Sequence, residues 1–299
     1  MTTRTKNIRN KFNFKKFFNK LWKIVYKTIW TFNFHNGIAN AGYLSFSLLF
    51  AIFPFIIFFM LLVSSFGNTD IGVELINVLQ ENLPDDIVGA IFPVIEDVVN
   101  VRKGGMLSIA TITLIWSASS IVQTITGILN SAYRIRNTKI YFINRARSII
   151  LFLFMIIFII TIIFITTILP RILNLINAIL FIKDFNNNLF GKTSSVLLHL
   201  FLLIFVEFIY YFIPSKRKMK FKDTIYGAIL TVTGWMIIGK ILVFYWSKIS
   251  NFNAVYGSFT GIFISLFFFN IMSMIFIFGA EFNYSIYEKF GNYNKKLKK

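Results

Sequence analysis

The chain has 299 residues, 56% of them hydrophobic and only 14% charged, which leaves no room for a large soluble domain. It contains no cysteine, so disulfides, thiol catalysis and thiolate metal sites are excluded. A net charge of +19 would suit nucleic acid in a soluble protein, but here the basic residues alternate with long apolar runs. Membrane topology and anionic lipid headgroups demand that pattern, so lipid rather than nucleic acid is the expected partner.

Residues 1–35 read as a basic, amphipathic N-terminal segment. Phe14, Phe17, Phe18, Leu21, Trp22, Val25 and Ile29 recur at helical spacing, with Lys15, Lys16, Lys20, Lys23 and Lys27 on other faces. Such a helix suits the inner-leaflet interface, lysines toward the headgroups, or packing on the cytoplasmic ends of a bundle. The two placements are compatible. No cleavable signal peptide is expected, because about forty residues precede the first apolar run.

Six apolar stretches follow, at 43–66, 106–129, 148–169, 194–213, 225–246 and 259–280. Each is long enough to cross a ~30 Å hydrocarbon core at ~1.5 Å per residue. The pattern predicts an all-α integral membrane protein, a six-transmembrane-helix bundle. Lysine and arginine number 9 before the first stretch, 5 between the second and third, 5 between the fourth and fifth, and 5 after the last, which is 24 of 31. Arg145 and Arg147 count among the loop residues in this reading. Positive charge stays in the cytoplasm, so both termini are expected there.

The outward gap 67–105 is expected to form a short helical cap. Ile71, Leu75, Val78 and Leu79 mark one amphipathic face, and Ile87, Val88, Ile91, Ile95 and Val98 a second after Pro84. Gly191-Lys192-Thr193 resembles the end of a phosphate-binding loop, but position 186 is Asn where that motif needs glycine, so the match carries nothing. No linker or repeat divides the chain. The expected organisation is an N-terminal segment 1–35, a membrane domain 36–290 and a basic cytoplasmic tail 291–299.

An ionisable residue in a membrane span is expensive and marks a functional hypothesis. Glu207 lies in the fourth span, His199 in that span's outer half, Lys240 at a similar depth in the fifth, and Glu281 at the cytoplasmic end of the sixth. Counted from the span ends, Glu207 and Lys240 differ by ~13 Å in depth, too far for an ion pair, whereas His199 and Lys240 are level. A level pair of cations would accept a phosphate or carboxylate headgroup. Alternatively Lys240 snorkels beside Trp246 and His199 hydrogen-bonds across helices. Glu207 is either a protonated structural residue or a proton-coupling site. Asn40, Gln123, Asn130 and Asn270 add a polar lining, while Gly227, Gly234, Gly239, Gly257 and Gly261 permit close helix approach. No His-Glu-x-x-His, nucleophile elbow or nucleotide loop occurs, so catalytic, metal and cofactor sites are not expected.

Four ordered patterns carry a resemblance. They are Ala41-Gly42-Tyr43-Leu44-Ser45-Phe46 with Phe53-Pro54, then Trp116-Ser117-Ala118-Ser119 with Asn130, then Pro214 and its basic loop with Tyr226-Gly227-Ala228, and finally Tyr256-Gly257-Ser258 with Gly279-Ala280-Glu281. As an ordered set over residues 35–290 they resemble the YihY/BrkB family of bacterial inner-membrane proteins. Asn40 stands where that family tends to have Ala, and Phe267-Phe268-Phe269-Asn270 replaces a usual Trp. The resemblance implies a six-span helical bundle and little about activity. Some members carry a ribonuclease BN label, which nothing in this sequence supports. The expected function is movement of an envelope lipid or another amphiphilic anion, with a non-transporting scaffold for an envelope complex as the alternative.

Overall fold

The computed structural model describes residues 14–66, 104–136, 141–163, 187–216, 218–248 and 259–296. The expected outer cap lies outside them, as does the tripeptide Tyr256-Gly257-Ser258. Among the described residues there are seven α-helices and no strand: α1 Phe14–Phe34, α2 Gly37–Phe66, α3 Gly104–Ala132, α4 Tyr141–Ile163, α5 Asn187–Phe212, α6 Phe221–Lys248 and α7 Phe259–Lys296. Three contain segments long and apolar enough to cross a membrane, at Thr111–Ala132, Phe221–Leu242 and Phe263–Lys289. Shorter apolar segments occupy Gly37–Ala51 and Val196–Phe212. Helix is the form these stretches must take, because lipid offers no partner for a free backbone N–H or C=O.

Helices α2 to α7 pack in chain order as a ring, each against the next, and α7 closes the ring against α2. Helix α7 also reaches α3 and carries α1 along its C-terminal half. The buried centre is built from Ala41 and Leu44 of α2, Leu129 of α3, Val206 of α5, Ala228 of α6 and Ala280 of α7. Lipid tails are as apolar as leucine, so small residues that let backbones approach hold such a bundle better than apolar bulk does. The α6–α7 crossing shows this. A Cβ on Gly227 would strike the Gly279 carbonyl and Asn283, and one on Gly279 would strike Thr231, Tyr210 and the Gly227 carbonyl. Gly239, grouped with Gly227 by sequence, faces open space.

Two boundaries differ from the sequence expectation. Helix α7 runs on to Lys296, so Glu281 is buried in mid-helix rather than at a helix end, and most of the expected tail is helical. Helix α1 packs on α7, and its buried side chains Ile24, Thr28 and Thr31 are not among those that mark the apolar face in the periodicity. Trp22 and Ile29 of that face are exposed. The threonine hydroxyls donate back to carbonyls of their own helix, Thr28 to Ile24 at 2.9 Å, so small polar side chains make the contact without an unmet donor. Asn36, in the left-handed region at φ 54°, turns the chain between α1 and α2.

Candidate functional site

Basic side chains gather where α1 meets α7, and this basic end also holds a cluster of buried polar groups. His35, in the turn after α1, places Nδ1 2.5 Å from Oε1 of Glu281. Glu281 is 1% exposed and its second oxygen has no partner among the described residues. Asn40, expected as polar lining, supports this arrangement. Its Nδ2 donates to the His35 carbonyl at 2.8 Å, holding the turn that presents the imidazole.

Glu207 on α5 accepts a hydrogen bond from the Thr224 hydroxyl in the first turn of α6, and its other oxygen is likewise unmet. One turn along α5, the Tyr210 hydroxyl donates to the Phe276 carbonyl at 2.6 Å and pairs with the Thr231 hydroxyl at 2.7 Å. Asn283 accepts the Gly227 N–H at 2.6 Å. Tyr133, just past α3, is buried in the same core. Burial, reinforced by the Tyr210 hydroxyl and by both glutamates, pushes its hydroxyl well above the usual tyrosine range, so it stays a neutral donor. This end of the bundle therefore buries two unmet carboxyl oxygens and a neutral hydroxyl, groups able to hold a proton.

A rim closes this end. Glu288 meets Lys27 at 2.8 Å and Arg134 at 3.6 Å, and Lys218 donates to the Tyr133 carbonyl and the Tyr284 hydroxyl, both at 3.1 Å. These partly exposed pairs contribute little stability individually. Asn130 clamps α3 to the turn after α5, donating to the Ser215 hydroxyl at 2.8 Å and accepting its N–H at 2.9 Å. Arg147 caps α5 by donating to the carbonyls of Phe212, Ile213 and Pro214.

Arg145 is not a loop residue. It is the fifth residue of α4, 6% exposed, and it reaches between α3 and α4. Nη1 donates to the Ser120 hydroxyl at 3.1 Å and to Oε1 of Gln123 at 3.3 Å, and Nη2 to the Trp116 carbonyl at 2.6 Å. The Trp116 ring covers the guanidinium 4.0 Å from Cζ. Gln123, expected as polar lining, thus serves this arginine.

His199 and Lys240 are not level. His199 lines a groove with Val196, Leu203, Ile229, Val232 and Thr233, and Lys240 lies seven residues beyond Thr233, about 10 Å further along α6. The register is set at the other end by the Thr224–Glu207 bond, which also puts Glu207 about 24 Å of helix from Lys240. Lys240 is exposed and His199 half-buried, while Asn270 lies half-buried beside Gly42. Sequence reading missed His35, Arg145, Tyr210, Thr224 and Asn283 as members of the site. Two signals were present. Arg145, Ser148 and Phe152 share one helical face, and Tyr210 stands three residues after Glu207.

These features define a helical membrane protein that buries both acidic and basic groups inside its bundle. The family described as virulence factor BrkB matches residues 28–299, and the chain belongs to that family. Among its relatives is YfkH of Bacillus subtilis (strain 168), a protein named as ribonuclease-like, 26% identical over 259 residues that cover 86% of this chain and 93% of YfkH. No solved structure matches the chain. Among the described residues, no group of three or more His, Cys, Asp or Glu side chains is placed to hold a metal ion.

Proposed function

We propose that the chain is a six-span protein of the bacterial inner membrane, both termini cytoplasmic, that moves an envelope lipid or another amphiphilic anion across or out of that membrane. Supporting the span count, α2 to α7 are 30, 29, 23, 26, 28 and 38 residues long. Each exceeds a ~30 Å core at ~1.5 Å per residue. Supporting the orientation is the alternation of basic gaps. One observation carries the transport reading: Glu207, Glu281 and Arg145, each no more than 6% exposed, lie within an apolar helix bundle. A passive bundle has no need of such groups. In this reading His199 and then Lys240 form successive contacts for the anionic group along one face of α6, and Glu207 with Glu281 and His35 couples the cycle to protons or gates it.

The test is leaflet exchange of labelled anionic lipid in liposomes. The wild-type chain should exchange lipid, and Glu207→Gln and Lys240→Ala should each reduce the rate at least tenfold. No exchange by correctly oriented wild-type protein removes the reading.

A second reading, a scaffold for an envelope complex, is favoured by one observation. Trp22, Tyr26, Trp30 and Phe34 form an exposed stripe along α1 at intervals of four residues. Deleting residues 67–105 or α1 should then abolish recovery of the complex and spare membrane insertion. Neither reading involves catalysis. Metal-dependent RNA cleavage by the purified protein, lost in Glu281→Gln, would displace both.

A further inference from the structure

The Arg145 guanidinium is buried, and among the described residues no acidic side chain pairs with it. The acidic residues of the described segments are Glu207, Asp223, Glu281 and Glu288. Glu207 is bound to Thr224, Asp223 to the Lys220 N–H, Glu281 to His35, and Glu288 to Lys27 and Arg134. Every acceptor that Arg145 does use is neutral: a serine hydroxyl, an amide oxygen and a backbone carbonyl. Neutral acceptors do not offset the desolvation of a full positive charge as an anion does. Two adjacent donors are also unmet, the Nε–H of Arg145 and the Nε2 amide of Gln123. That amide nitrogen shares a carbon with the oxygen Arg145 already holds, so both idle donors stand around one cation.

The position fits a ligand better than a structural pin. Ser120 is ten residues, about 15 Å of helix, from Asn130, which marks the basic end of α3. Arg147, two residues on, shows what a structural arginine does here: it caps α5 through backbone carbonyls. Over Arg145 lies Trp116, a residue 59% exposed whose ring contacts the guanidinium. The ring is a cover, and rotating it opens the charge sideways toward lipid.

We propose that Arg145, with Gln123 beneath Trp116, is a binding site for a phosphate-type anion. One phosphate oxygen accepts the Arg145 Nε–H and a second the Gln123 amide N–H, and the rigid planar guanidinium keeps its Nε–H aimed while its other nitrogens hold α3, which a flexible ammonium stem cannot do. Trp116 gives up its cation–π contact as the anion enters. The ligand is a phosphate, either a lipid headgroup entering sideways or a free ion. The physiological meaning rests on the transport reading, but binding is measured apart from transport.

The experiment titrates the purified full-length chain, in nanodiscs of zwitterionic lipid, with dihexanoyl phosphatidic acid and separately with inorganic phosphate. Tryptophan emission is followed, and Trp116→Phe identifies the Trp116 component. A saturable change is expected in the wild type, weakened at least tenfold in Arg145→Lys, absent in Arg145→Gln and weakened several-fold in Gln123→Leu. Gln123→Leu leaves the charge and its other bonds in place, so it decides the matter if Arg145→Gln fails to fold. A response to phosphatidic acid alone assigns the site to a headgroup, and a response to both assigns it to the free anion as well. No response to either, or wild-type affinity in Gln123→Leu and Arg145→Gln, overturns the proposal. Binding without leaflet exchange would leave this site standing and remove the transport reading, while exchange without binding would do the reverse.

Discussion

His35 and Glu281 approach to 2.5 Å at a site where the carboxyl is 1% exposed, and removing either partner alone strands the other. Breaking a buried pair from one side costs about 3–5 kcal/mol, far more than the pair contributes relative to a neutral replacement. His35→Ala should therefore lower the thermal unfolding midpoint of the detergent-purified protein markedly, and adding Glu281→Gln should restore much of the loss. An additive double variant would show that the two side chains do not act as a pair. Glu207 behaves differently. Glutamine there keeps an acceptor for Thr224, so Glu207→Gln should change stability by only about 1 kcal/mol. Loss of leaflet exchange in that variant, with an unchanged unfolding midpoint, would then report function rather than fold.

At the level of elements, the α6–α7 crossing is the tightest contact described. Gly227 and Gly279 face each other so closely that a Cβ on either meets backbone, which cannot move aside as a side-chain tip can. Gly279→Ala should destabilise by about 1–3 kcal/mol through overpacking, together with displacement of the Tyr210 hydroxyl from Phe276. Gly239→Ala, on the same helix but facing open space, should be neutral or stabilising by up to about 1 kcal/mol, because alanine is the better helix former. Thermal unfolding of the two variants side by side checks both, and equal effects would remove the crossing as the cause. Gly234 is intermediate, since its Cβ would meet the Ile275 side chain at 2.7 Å, and that side chain can repack.

For the whole molecule, the ring order of α2 to α7 brings the first and last helices into contact and sets α1 beside the C-terminal half of α7. Helix α1 and the C-terminal half of α7 thus gather at the basic end, which the proposed topology puts in the cytoplasm. The absence of cysteine makes this directly measurable. In right-side-out vesicles a membrane-impermeant maleimide should label Asn186→Cys in intact membranes, and Lys299→Cys only after permeabilisation. The opposite pattern would invert the topology and with it the assignment of the basic end.

The amino-acid sequence by itself determined that this is a helical membrane protein of the BrkB family, and approximately where its helices run. Lipid imposes that information locally: every backbone group must be satisfied within its own helix, and the length of an apolar run and the charges flanking it can be read without knowing the neighbours. It also marked Glu207 and Glu281 as unusual, because a carboxyl in an apolar run stands out wherever the helix lies. Only the tertiary structure decided what each polar group meets. His35 and Glu281 are 246 positions apart, and no local pattern links them. Arg145 looks like a loop cation because it stands three residues before an apolar run, yet its long side chain extends into the bundle beneath Trp116. Depth counted from span ends set His199 level with Lys240, whereas the Thr224–Glu207 bond shifts one helix along the other by about two turns. Register between helices is fixed by pairwise side-chain contacts, and those arise only when helices distant in sequence pack together.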